Sequence, residues 1–369
     1  MSAIPRGDPS LLGRWWWTVD RTLLACIAVL AVFGVVMAFA ASPPVASRVG
    51  FSELHFVEKH LLFVPLGLAL LIVASMASPR GVLLLCAPLL VATLLLVACT
   101  LLVGAEIKGA RRWLVFGGFN LQPAEFAKPA LAVVCGFLLA RREGLAGLPA
   151  AALPVALLVG LLVLQPDLGT SALVLAAFGV QLFVAGLPWP WIVLAAGGGL
   201  AGLAGAYAVF DHVRARIDAF LDPAAEPFQV EAALRAISTG GLFGRGPGAG
   251  EVKYYLPEAH SDFVFATMAE EFGILACLAV LGLFAFVVLR ALSRLLEAHD
   301  RTVLLAGTGL LAQLGLQAFV NMGVNLAILP TKGMTLPFVS YGGSSLLALS
   351  LGTGMLLALL RRDARLESA

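Results

Sequence analysis

The residues best able to do chemistry in this chain are polar groups set among almost wholly apolar neighbours. Asp262 follows His260-Ser261 at the head of an uncharged stretch, and Glu270 and Glu271 lie two turns further on. Glu125 and Lys128 stand three residues apart within another apolar run, a spacing that lets them pair on a helix. Gln165-Pro166-Asp167 closes a third run, and Gln313, Gln317, Asn321 and Asn325 recur at four-residue intervals in a fourth. Ionised and amide groups in lipid are costly, so each either glues helices together or lines a polar site. On a helix, positions 262, 266, 269, 273 and 276 share one face and read Asp, Ala, Ala, Gly, Ala. That is a carboxylate above a track of small side chains, which suits close helix packing or leaves room for a lipid tail. Alone, Asp262 would serve equally as a helix N-cap, Glu125–Lys128 as a structural ion pair and Gln165–Asp167 as a loop.

The elements that must position these groups follow from composition. Of 369 residues, 46 are charged, or 12%, while 60% are apolar and the mean hydropathy is +0.96. Such a chain cannot cover a water-facing surface and reads as an all-α, polytopic integral membrane protein. Ten runs are long enough to cross: Thr22–Ser42, His60–Pro79, Gly81–Ala105, Pro123–Ala140, Pro149–Pro166, two within Leu168–Phe210, Phe263–Leu289, Thr302–Leu329 and Leu336–Leu360. Gly186-Leu187-Pro188-Trp189-Pro190 divides the long uncharged stretch into two helices. The first run exceeds the 7–15 apolar residues of a cleaved signal core. The expected organisation is a cytoplasmic N-terminus over 1–21, one membrane domain over 22–360 and a cytoplasmic tail over 361–369. Within the domain, 211–262 forms a large extracytoplasmic loop between spans seven and eight.

With both termini inside, the inner segments carry twelve basic residues and the short outer loops six, in line with the positive-inside rule. Lys108, Arg111 and Arg112 nonetheless cluster on the outer side, where an anionic ligand would account for them. The 211–262 segment has five basic and eight acidic residues, too polar for lipid. Gln229–Thr239 within it suits a short amphipathic helix, and Gly240–Gly248 a flexible glycine-rich stretch. Lys332 is a lone cation beside the hydroxyl-rich run Ser340-Tyr341-Gly342-Gly343-Ser344-Ser345. The formal charge of +2 carries no bias toward nucleic acid. The sequence holds no phosphate-binding Walker loop, no zinc spacing among its five histidines and no nucleophile elbow around Ser344. Its five cysteines are scattered through apolar runs as buried thiols.

Six of these polar islands, in order, resemble the SEDS family of membrane proteins. They are Gly109-Ala110-Arg111-Arg112-Trp113 with Gln122-Pro123-Ala124-Glu125-Phe126-Ala127-Lys128, Gln165–Thr170, Ala236–Gly246, Glu258–Phe263, Ala269–Gly273, and Leu329-Pro330-Thr331-Lys332-Gly333 through Ser345. The resemblance spans about residues 20 to 360. Pro-Thr-Lys-Gly around Lys332 is similar to the division branch rather than the elongation branch. Ala124 stands where many members have serine, and Arg245 where many have lysine.

The resemblance implies ten membrane helices and a peptidoglycan glycosyltransferase of the bacterial cytoplasmic membrane. Such an enzyme polymerises lipid II on the periplasmic side, at the division septum, and releases undecaprenyl pyrophosphate. Asp262 matches the position of the general base that deprotonates the acceptor sugar. Arg111, Arg112, Arg245, Lys253 and Lys332 are the cations expected to receive the diphosphate, and Gln165, Asp167, Ser261 and Ser344 complete the expected substrate site. A single inverting displacement needs no enzyme nucleophile. The site leaves room for a divalent cation, magnesium or manganese, without a dedicated metal cage. Implied partners are the lipid II substrate with its glycan product, a class B penicillin-binding protein that crosslinks it, and other divisome proteins. Three other readings stay open: a lipid II flippase using Glu125, Lys128 and the amide stripe, an elongation-type polymerase, and a non-catalytic scaffold.

Overall fold

The computed structural model describes residues 10–107, 109–117, 119–141, 144–209, 211, 214, 218, 228–330 and 333–361. The apolar runs form helices: α1 Leu11–Thr18, α2 Arg21–Arg48, α3 His55–Ser75, α4 Pro79–Val103, α5 Pro123–Ala140, α6 Leu148–Leu164, α7 Leu168–Val184 and α8 Trp189–Val209. They continue with α9 Phe228–Gly240, α10 Val264–Leu296, α11 Arg301–Asn325 and α12 Gly343–Leu359. Among the described residues, six (α2, α3, α4, α5, α10 and α11) are long and apolar enough to cross a bilayer, which makes the chain a multi-pass membrane protein. α5 and α11 are mostly buried, while α3 and α4 expose most of their apolar surface, as helices facing acyl chains must. Where α5 crosses α11, a Cβ on Gly136 would collide with the backbone of Ala306, so only glycine allows the approach.

The fold departs from an all-α reading between α4 and α5. Strands β1 Ala105–Ile107, β2 Ala110–Phe116 and β3 Phe119–Leu121 form an antiparallel sheet in the order β1-β2-β3. Alternation along β2 sends its two arginines to opposite faces. Arg111 lies opposite Glu106 and pairs with it at 3.4 Å on the exposed side. Arg112 points inward.

Two further departures lie near Asp262. The eighth run is not one helix: Gly273 breaks α10 with φ 82° and ψ 176°, a conformation that favours glycine. The glycine-rich stretch expected to be flexible is threaded into this break. Arg245 and Gly246 N–H groups donate to Glu270 and Glu271 carbonyls at 2.9 and 3.0 Å. Ile274 and Leu275 N–H groups donate to Gly241 and Leu242 carbonyls at 2.9 and 3.3 Å. Backbone groups freed by a helix break in lipid need such partners, and the loop supplies them. In the tenth run, residues 336–342 are not helical. Phe338 has φ 64°, and the Leu336 N–H donates to the Ser340 hydroxyl at 2.8 Å instead of continuing a helix.

On the opposite face of the bundle, Asp20 caps α2 through the Thr22 and Leu23 N–H groups and is clamped by Arg290 at 3.0 Å and Arg294 at 3.1 Å. Burial works to raise the Asp20 pKa, but the bonds from Arg290 and Leu23 and the Arg294 charge outweigh it and hold the carboxyl below its ordinary value.

Candidate active site

Asp262 lies just outside α10, whose cap residue is Phe263. The turn that carries it starts at Glu258, with φ 55°, and closes through the Ser261 and Phe263 N–H groups onto the Glu258 carbonyl. Two segments grip this turn through its backbone. From α11, Asn321 and Asn325 side-chain amides both donate to the Asp262 carbonyl at 2.9 Å, while Asn325 Oδ1 accepts from the Ala266 N–H at 2.9 Å. From the non-helical 336–342 segment, Ser340 Oγ donates to the Ser261 carbonyl at 2.6 Å and the Tyr341 N–H to the His260 carbonyl at 2.9 Å. The Asp262 side chain is half-buried, and a Cβ placed on Gly333 would lie 3.2 Å from its Oδ2. Glycine at 333 therefore leaves the carboxylate uncrowded on that side.

The amide stripe of α11 is thus helix glue, each member bound to another element's backbone. Gln313 donates to the Lys128 carbonyl at 2.7 Å, Gln317 to the Thr335 carbonyl at 3.1 Å, and Asn321 also to the Met334 carbonyl at 2.7 Å. Glu125 and Lys128 pair at 2.9 Å, and Lys128 Nζ also donates to Gln317 Oε1 at 3.1 Å. The space beside them is about 20 Å³, room for one water molecule. It is far too small in this conformation to pass a sugar headgroup.

The small-residue face below Asp262 is packed and leaves no groove. Ala266 and Ala269 are buried, and Gly273 lies against Leu242 and Gly244. Of the two readings of that track, close packing holds and the lipid-tail wall does not.

Glu270 and Glu271 find their partners in the loop. Glu270 accepts from the Glu251, Val252 and Lys253 N–H groups at 2.7, 2.7 and 3.0 Å. Glu271 accepts from the Gly248 and Gly250 N–H groups and pairs with Lys253 Nζ at 2.6 Å. Lys253 also donates to the Ala40 and Gly248 carbonyls and is fully enclosed. This corrects its assignment as a diphosphate ligand: a buried ammonium must have local partners, and all of its donors are engaged.

The remaining cations are more available. Arg245, beside Glu251 at 3.4 Å, and Arg111 keep much of their side chains exposed. Arg112 joins Gln165 and Asp167, donating to the Gln165 and Pro166 carbonyls and standing 3.7 Å from Asp167 Oδ1. Asp167 caps α7 through Thr170, and Gln165 donates to Val97 and Thr100 on α4. Ser344 ties this region to α12, donating to the Asn120 carbonyl at 2.8 Å and accepting from the Gln122 N–H at 3.1 Å. The next residue, Ser345, reaches Thr335 at 2.7 Å, two positions from Gly333. Through α12 the sheet is thus tied to the 333–335 segment, whose Gly333 lies beside Asp262. Lys332 and Lys108 lie outside the described residues.

Sequence reasoning assigned no role to Gly333, Ser340 or Tyr341. Their only signal was a polar, glycine-rich interruption in an apolar run. Among the described residues, no three His, Cys, Asp or Glu side chains group as metal ligands, so these donors do not form a dedicated cation cage.

Comparison with known proteins places this arrangement among relatives. The sequence profile of the FtsW, RodA and SpoVE family, described as "Cell cycle protein", matches residues 20–365. The probable peptidoglycan glycosyltransferase FtsW of Caulobacter vibrioides is 43% identical over 365 residues, covering 98% of this chain and 94% of that protein. The corresponding protein of Halorhodospira halophila is 40% identical, covering 93% and 90%. Among solved structures, a peptidoglycan synthase complex that coordinates polymerization and crosslinking contains a chain with TM-score 0.79 and 32% identity, covering 94% of this chain and 98% of that one. The rod shape determining protein RodA of Thermus thermophilus gives 0.69 and 33%, covering 94% and 97%.

Proposed function

This chain belongs to the FtsW, RodA and SpoVE family of cell cycle proteins, and on that premise we propose that it polymerises lipid II into glycan strands for septal wall synthesis. It is an inverting peptidoglycan glycosyltransferase. The chain crosses the cytoplasmic membrane ten times with both termini inside, and Asp262 faces the periplasm. The observation that carries the mechanism is the held carboxylate of Asp262, whose carbonyl is gripped by Asn321 and Asn325, whose preceding residue is fixed by Ser340, and beside whose Oδ2 only a glycine, Gly333, fits without crowding.

The acceptor hydroxyl gives its proton to the Asp262 carboxylate as its oxygen bonds to the donor's anomeric carbon. The bond from that carbon to the diphosphate breaks, and its electron pair leaves with undecaprenyl pyrophosphate. Arg111, Arg112 and Arg245 receive the departing charge, joined by Lys332. Gln165 and Asp167 hold Arg112, and Ser344 holds β3, the strand paired with the one that bears it. Ser261 supplies the carbonyl through which Ser340 fixes the acid. A magnesium or manganese ion carried on the diphosphate would share the departing charge with these cations. The transpeptidase that crosslinks the product, a class B penicillin-binding protein, docks on the outer loop and neighbouring apolar helices alongside other divisome proteins.

The test uses the full chain with its transpeptidase in liposomes carrying labelled lipid II. Glycan growth should be abolished in Asp262→Asn and Asp262→Ala and retained in a folded lipid-facing variant. Undiminished growth in Asp262→Ala would remove this mechanism. Translocation without growth in the wild type would favour a flippase.

A further inference from the structure

Beside the loop that fills the α10 break is an apolar cleft of about 340 Å³, lined by Val36, Phe39, Ala40, Pro247, Gly248 and Phe272. Its volume lies within the roughly 300–1,000 Å³ of small-molecule sites. Val36 and Phe39 belong to the uncharged part of α2 and are 41% and 51% exposed, so the cleft opens sideways toward acyl chains. Its inner wall is fixed. Lys253 donates to the carbonyls of Ala40 and Gly248, one on each side, and Gly248 also donates its N–H to Glu271.

Its depth is defined from both walls. Ala40 is eight residues below Arg48, whose guanidinium donates to the Tyr254 carbonyl of the outer loop. Phe272 is eight residues below Val264, where α10 begins. At 1.5 Å per helical residue both lie ~12 Å along their helices from those ends, a distance within the ~15 Å of one leaflet. Phe272 shares the short half-helix that starts beside Asp262, about a quarter turn around it from the acid. A lipid-linked sugar whose diphosphate sits at the level of Asp262 has hydrocarbon at this depth.

We propose that this cleft seats the polyprenyl tail of the lipid-linked substrate, in place of the small-residue face under Asp262, which is packed shut. The inference rests on the polymerase reading and adds to it a tail subsite formed by α2, the glycine loop and Phe272. The tail is held by apolar contact alone, and the substrate selected is one whose chain reaches from the acid to Val36.

The experiment uses the full chain with its transpeptidase in liposomes. A lipid-linked disaccharide carrying a diazirine in its tail should label peptides around Val36–Ala40 and Phe272. Val36→Phe fills the cleft from its lipid side without entering the core. It should sharply reduce that labelling and raise KM about tenfold with kcat unchanged. With an analogue whose tail is too short to reach ~12 Å along α2, Val36→Phe should show the same KM as the wild type shows with that analogue. Labelling elsewhere, equal labelling by a diazirine phospholipid, or an equal KM rise for the short-tailed analogue would each overturn the inference. If the wild type makes no polymer, the polymerase reading fails while labelling still reports on the cleft. If polymer forms and Val36→Phe leaves KM unchanged, the tail subsite alone fails.

Discussion

Removing the carboxylate of Glu271 tests whether the loop is bound into the α10 break by charge. The Lys253–Glu271 pair is at 2.6 Å with side-chain exposures of 3% and 0%. In Glu271→Leu the ammonium of Lys253 stays enclosed with only the carbonyls of Ala40 and Gly248, and the Gly248 and Gly250 N–H groups lose their acceptor. Breaking one side of a buried pair costs about 3–5 kcal/mol, where an exposed pair would cost at most about 1. The double variant Glu271→Leu/Lys253→Met removes the stranded charge. It should then keep only the penalty for neutral groups left unpaired, the Gly248 and Gly250 N–H groups and the Ala40 and Gly248 carbonyls. The double should therefore cost less than the sum of the single changes, with a coupling of about 0.5–3 kcal/mol. Reversible unfolding in mixed micelles, followed by helical circular dichroism across a denaturing-detergent titration, measures all four proteins. Single variants that each cost under about 1 kcal/mol, or a double that equals their sum, would refute the account of a charge-pinned loop.

Two other outcomes follow from the same geometry. Asn325→Leu strips the Ala266 N–H of its acceptor and the Asp262 carbonyl of one donor. It should destabilise the fold by about 2 kcal/mol and lower kcat more than it raises KM, which steady-state polymerisation measures. At the end of the bundle away from Asp262, the depressed pKa of Asp20 means its clamp with Arg290 and Arg294 contributes fully above the ordinary carboxyl value of 3.8. That contribution fades as pH falls through the lower native value. Unfolding midpoints across that acid range should show the loss in wild type and not in Asp20→Asn.

Composition alone made this a membrane protein, because an apolar majority with few charges has no other solvent. Run lengths located its helices, with ends that differ by up to seven residues, and the polar islands were visible because lipid makes each of them expensive. Glu125–Lys128 and the amide stripe could be identified from spacing alone, since both contacts follow the helical repeat. Tertiary structure decided everything that depends on which groups meet across distant segments. A helical run does not reveal that Gly273 breaks, because the break is stable only with loop residues 241–246 supplying its backbone partners. Likewise, Lys253 looks like a free outer cation until the fold brings it to Glu271. Arg111 and Arg112 are neighbours in sequence, but only a strand separates them, one toward water and one toward Asp167. Asp262 stood out in the chain as the candidate acid. What holds it beside a glycine seventy-one residues away, with α11 and the 336–342 segment binding its turn, is a property of the packing.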